Sequence, residues 1–206
     1  MLKEIERSVL LLNRTLSERT IVTTVDSPAA GAIAPVLRRL YFVRFAFAIV
    51  WAGLLFLTKA ELGPLGITLV VLYPLFDVAA AVVDVRSSRD TGSARGLYVN
   101  VAISLLAAAG LAVTASSGVP GVLRVWGAWA IVAGLVQLIV AVSRRGMGGQ
   151  WPMILSGGIS VLAGGSFIVG AAAPDPVLTN VAGYAVLGGV FFLVSAIRLG
   201  RAAQGN

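Results

Sequence analysis

Six long apolar runs dominate the chain: Leu40–Leu57, Pro64–Val85, Leu97–Ser116, Val119–Val142, Trp151–Ala173 and Val177–Ile197. A helix needs about 20 apolar residues to cross the hydrocarbon core of a bilayer, and each run is long enough, some with tilt. The turn between the third and fourth runs, Ala115 to Pro120, is short and uncharged, as an antiparallel helical hairpin requires; the turn at Ala173 to Pro176 is similar. The pattern predicts an all-α integral membrane fold with six transmembrane helices. Ahead of them Leu2, Ile5, Val9, Leu12 and Leu16 recur at three- and four-residue steps, the mark of an amphipathic helix. The division expected is a cytoplasmic amphipathic helix over 1–19, a linker rich in Thr, Ala, Gly and Pro over 20–37, and a membrane domain over 38–206. The first long apolar run reads as a retained span rather than a cleaved leader.

Composition agrees. Of 206 residues, 58% are hydrophobic and 12% charged, about half the charge of an average soluble domain. There is no His and no Cys, which excludes thiolate nucleophiles, disulfides, His–Cys zinc sites, iron–sulfur clusters and His-ligated haem. The expectation is a non-enzymatic protein with no catalytic residue, metal site or cofactor.

The net charge of +7 is explained by topology. Arg38, Arg39, Arg44, Arg86, Arg89, Arg95, Arg144, Arg145, Arg198 and Arg201 fall on one side of the six spans, and only Lys59 and Arg124 on the other. The positive-inside rule then places both termini in the cytoplasm and these arginines near anionic headgroups. No basic patch is interleaved with aromatics, so nucleic acid is not an expected partner. Scarce Lys beside abundant Arg, Ala, Gly and Val fits a GC-rich bacterial genome.

The chain also repeats itself with a period near 56. Pro64, Pro120 and Pro176 are 56 apart, Ile103 to Ala107 resembles Ile159 to Ala163, and Tyr73, Trp129 and Tyr184 follow the same spacing to within one residue. Three hairpin repeats are predicted, about 40–89, 97–145 and 151–201, each an out-and-back pair of helices. Two spans per unit make them parallel repeats about an axis near the membrane normal.

The stretches Trp126 to Gln137, Trp151 to Gly164, Gly183 to Gly189 and Ala196 to Arg198 (aromatic residues, small residues, then a basic cap) resemble the HdeD-like family of short-repeat bacterial membrane proteins. The resemblance covers roughly residues 97–200, and the first unit more weakly. It implies a six-span plasma-membrane protein linked to acid resistance and stress tolerance, and supplies no catalytic residues. The first 37 residues and Asp77 depart from the pattern.

Asp77 is the sharpest candidate for chemistry, since a carboxylate near mid-membrane is costly and normally faces a partner or a water-filled cavity. It is a neutral, hydrogen-bonded side chain, pairs with Arg44 to lock the first hairpin, or titrates in a pathway; Arg44 and Asp84 both lie near the cytoplasmic boundary, so Asp84 competes for that Arg. Asn100 and Gln137 are the other polar groups well inside spans, as bonds between helices or as cavity lining with Asp77. Ser156, Ser160 and Gly164 form a small-residue ridge, as do Ala130 with Gly134 and Ala185 with Gly189, for packing within the bundle or against a second copy. Trp126, Trp129 and Trp151 read as interfacial anchors or packing groups. Residues 2–18 carry balanced charge on their polar face, so docking to the bundle, a second copy or a partner protein is favoured over a lipid surface. Three functions follow, in order: an HdeD-like membrane protein of envelope or acid-stress tolerance; a small proton, ion or solute channel or transporter using Asp77; and last an intramembrane enzyme, for which Asp77, Gln137 and Asn100 are the main polar groups on offer.

Overall fold

Prolines and glycines divide the apolar sequence into helices. In the computed structural model, which describes residues 28–58, 62–87 and 94–202, six α-helices run in order: α1 (Pro28–Leu57), α2 (Pro64–Ser87), α3 (Ala94–Thr114), α4 (Gly118–Ser143), α5 (Trp151–Gly170) and α6 (Thr179–Ala202). No strand occurs among the described residues. The amphipathic helix expected over 2–18 lies outside them. The first helix begins well upstream of Leu40, inside the stretch expected to be linker. Pro28 opens it where a missing N–H is harmless, and Ala and Gly then carry the helix to the apolar run, with Pro35 held inside it.

By length and composition, five continuous helical stretches can cross a membrane: Ala34–Leu57, Pro64–Ser87, Arg95–Ser143, Trp151–Gly170 and Thr179–Arg201. The third has 49 residues and would measure about 74 Å if straight, more than twice a hydrocarbon core. It is folded back on itself. A 3-10 turn over Ala115–Ser117 leads to Gly118, whose φ of 78° is open to a residue without a Cβ. Gly110 consequently lies on Val125, Ser104 on Trp129 and Gly96 on Val140, the antiparallel register of α3 against α4.

Each helix packs on its neighbours in sequence, and α6 closes on α1, so the six form a ring. The closest seam joins α4 to α5. A Cβ on Gly164 would meet the Gly127 carbonyl at 2.5 Å, and one on Gly134 would meet the Gly157 carbonyl at 2.9 Å. Only glycine permits backbones this near. The loop after α4 is tied to α6: Gly149, at φ 66°, sits against Leu199, and Ser195 donates 2.6 Å to the Gly149 carbonyl.

Leu106, Val113, Leu162 and Val169 are more than two-thirds exposed, while the Asp84–Arg144 ion pair is buried inside. This is the reverse of a water-soluble protein and suits a hydrocarbon surround. Two apolar clusters fill the ring. Trp51, Leu55, Leu111, Val122, Trp126 and Phe167 belong to the one nearer the α3–α4 turn, and Leu37, Tyr41, Met153, Ala196 and Leu199 to the one at the arginine-rich end. Trp51 and Trp126 are at most 1% exposed, and their rings stack at 5.5 Å between α1 and α4, opposite members of the ring. The interior tryptophans Trp126 and Trp129 are thus packing groups, and Trp151 is largely exposed.

These tryptophans differ in one way that stability can read. The Trp51 indole donates 2.7 Å to the Leu69 carbonyl, whereas the Trp126 Nε1 is buried without an acceptor. An unmade buried hydrogen bond costs about 1–3 kcal/mol. Trp126→Phe, which deletes the orphaned donor, is therefore expected to be less destabilising than Trp51→Phe. Thermal unfolding of the two variants in detergent checks the order.

Candidate functional site

Between the two apolar clusters the ring holds a partly open cavity of about 120 Å³, room for several water molecules. All six helices contribute to its wall. Asp77, Arg44, Asp84, Asn100 and Gln137, singled out along the sequence for different reasons, all line it, together with Ser156, Ser160 and Gly134.

A belt of polar contacts runs round the ring at this level. Arg44 on α1 lies 3.0 Å from Asp77 on α2, and its guanidinium also sits 5.1 Å from the ring centre of Phe192 on α6. The other Asp77 oxygen accepts hydrogen bonds from Asn100 at 2.6 Å and Ser104 at 2.9 Å, both on α3. Trp129 on α4 donates to the Ser104 hydroxyl at 3.0 Å. Gln137 on α4 donates to the Met153 carbonyl on α5 at 3.1 Å, and Tyr184 on α6 donates to Ser160 on α5 at 2.7 Å. Every junction between adjacent helices is thus bridged by a polar or cation–π contact.

The second carboxylate settles elsewhere. Asp84 does not compete for Arg44; it receives both ends of the Arg144 guanidinium, at 2.7 and 3.0 Å, with both residues at most 6% exposed. Arg144 also hydrogen-bonds the Tyr41 side chain. The pair joins the end of α2 to the end of α4, two helices that are not ring neighbours, and so reaches across the arginine-rich end of the cavity. At the other end the Trp51–Trp126 stack, with Tyr73 and Trp129 in edge contact, fills the ring. The polar chamber lies between an ion pair and an aromatic plug.

The small-residue positions serve seams inside the chain. Gly134 faces Ser160 and Gly157, Gly164 faces Gly127 and Ile131, and Gly189 faces Ala48 of α1 at 3.2 Å. Ser156, Ser160, Gly134 and Gly164 are covered by the chain's own helices.

Arg144, Tyr41, Ser104 and Tyr73 also belong to the site, although nothing in the sequence marks them as site residues by themselves. Arg144 was counted among the basic residues of a loop, and nothing local distinguishes it from Arg145, which is exposed. For Ser104 a signal existed, since Ser104 and Ser160 occupy the same place in the two similar stretches, and each accepts from the aromatic side chain that follows it, Trp129 or Tyr184. The spacing recurs around the wall: Tyr41, Leu97 and Met153 line the cavity, as do Arg44, Asn100 and Ser156, each set stepped by 56.

Among the described residues no group of three or more His, Cys, Asp or Glu could hold a metal ion. Comparison with protein-family models, with curated proteins and with solved structures gives no match.

Proposed function

We propose that this chain is a bacterial plasma-membrane protein crossing the bilayer six times, with both termini in the cytoplasm, and that its ring cavity takes up a small polar solute and passes it across. The observation that carries this reading is a polar chamber reaching Asp77 in the middle of an apolar helix. Ionisable groups at such depth are expensive and mark solute or ion paths when they face a cavity. Six crossings are supported by the reversal at Gly118, and the orientation by the arginines gathered at one end. Three parallel hairpin repeats are supported by the wall sets stepped by 56 residues. The reading is non-enzymatic, and what supports it is that both carboxylates lining the chamber are paired with arginines.

A second reading keeps the membrane architecture without transport: an HdeD-like protein of acid or envelope-stress tolerance. What favours it is the glycine seam between α4 and α5, which falls within the stretches that carry the resemblance. Flux in proteoliposomes separates the two. With wild-type protein, saturable uptake of protons or small solutes across acidic and neutral pH is expected, and Asp77→Asn is expected to bring it to the level of empty vesicles with the fold intact. Absence of flux from folded wild type would leave the stress-protein reading.

A further inference from the structure

The first hairpin departs from the other two at the cavity wall. It places Arg44 where the later hairpins have Asn100 and Ser156, and Asp77 where they have Ala133 and Gly188; all six positions line the chamber. A third departure lies at Ala48, the counterpart of Ser104 and Ser160. Those serines receive the polar tips of Trp129 and Tyr184, so the corresponding Tyr73 has an alanine where its acceptor would be. The chamber's distinctive chemistry is concentrated on one side.

Its charges balance. Arg44 and Arg144 face Asp77 and Asp84, and both oxygens of each carboxylate are engaged. Arg44 is less well satisfied than Arg144. It meets Asp77 through one nitrogen, and its Nε is buried without an acceptor. Aromatic side chains, among them Phe47, Tyr73, Phe76, Trp129, Tyr184 and Phe192, share the remaining wall with aliphatic, small and amide residues.

We propose that this chamber binds a small zwitterion, a carboxylate and an ammonium on one short carbon frame, with the carboxylate on Arg44 and the ammonium between Asp77 and the aromatic faces. The inference rests on the reading that the cavity takes a solute, and it names the class. A lone cation or anion would add net charge to a chamber whose own charges cancel, at a cost that only a matched partner offsets. A zwitterion adds none, and it exchanges the single Arg44–Asp77 pair for two. It supplies Arg44 with the acceptors it lacks, and aromatic faces hold an ammonium, best when methylated, by cation–π attraction.

The test titrates the purified full-length protein in detergent with glycine betaine, glycine, choline, acetate and urea, followed by calorimetry and by tryptophan fluorescence, Trp129 being part of the wall. Glycine betaine and glycine are expected to saturate, with the betaine tighter. Choline and acetate, each half of the charge pattern, and neutral urea are expected to bind at least about ten-fold more weakly. The double variant Arg44→Met with Asp77→Leu removes both charges together, so no charge is stranded, while Asn100 and Ser104 lose their Asp77 acceptor. It is expected to stay folded and to lose at least about ten-fold in betaine affinity. Equal or tighter binding of choline, acetate or urea, no binding of any of the five, or unchanged betaine affinity in the folded double variant would overturn the proposal. Any of these alongside persistent wild-type flux would remove the zwitterion and leave solute passage standing.

Discussion

Arg144→Met is expected to destabilise the folded protein by about 3–5 kcal/mol, because it strands a buried carboxylate. Asp84 is 6% exposed, and Arg144 holds both its oxygens. The double variant Asp84→Leu with Arg144→Met deletes both charges and is expected to recover most of the loss, since a buried pair replaced by apolar groups of similar volume is often neutral. Equilibrium unfolding of the three proteins in mixed micelles measures this. If the single and double variants lose the same amount, the contribution of this site comes from packing rather than from charge pairing. The double variant also removes the link across the arginine-rich end of the chamber, so in the flux assay it is expected to raise solute leak.

Gly164→Leu is expected to cost about 3 kcal/mol or more, toward the upper end of what overpacking produces. A Cβ at this position would stand 2.5 Å from the Gly127 carbonyl and 2.9 Å from the Ile131 nitrogen, and neither is the movable end of a side chain. Helices α4 and α5 would have to separate along the seam that Gly127, Gly134, Gly157 and Gly164 share, and Gln137 would lose its hold on the Met153 carbonyl. The neighbouring Gly165 has open space around it, so Gly165→Ala is expected to be neutral or to stabilise by up to about 1 kcal/mol through helix propensity. Unfolding temperatures of both variants at a concentration where the protein is monomeric distinguish a seam within the chain, where only Gly164→Leu falls, from a contact between copies.

The contrast between the two carboxylates shows how far the primary structure reaches. The Asp77–Arg44 pair is one of the alternatives that depth alone offers, because both lie in the same hairpin and a carboxylate at mid-helix has few partners within reach. Asp84 and Arg144 are 60 positions apart, in different hairpins, and an arginine next to Arg145 after an apolar run reads as a solvated loop residue. Its burial follows from the turn over Arg145–Met147, which leaves Arg144 at the end of α4 beneath Tyr41. Asn100 and Gln137 were legible as polar groups within apolar helices. That one would reach Asp77 and the other a carbonyl on α5 depended on the rotation of α3 and α4 about their own axes.

What the chain alone determined was the all-helical, apolar-surfaced architecture, the short reversal between α3 and α4, and the small-residue positions at which helices approach. Those are local: a solvent of hydrocarbon constrains length and polarity one segment at a time, and glycine spacing constrains one helix face. Only the tertiary structure decided that α6 closes on α1, that the polar residues of six helices meet at one depth, and that two ion pairs share a single chamber. Those depend on the relative depth and rotation of helices distant in sequence, which no single segment's hydrophobic pattern specifies.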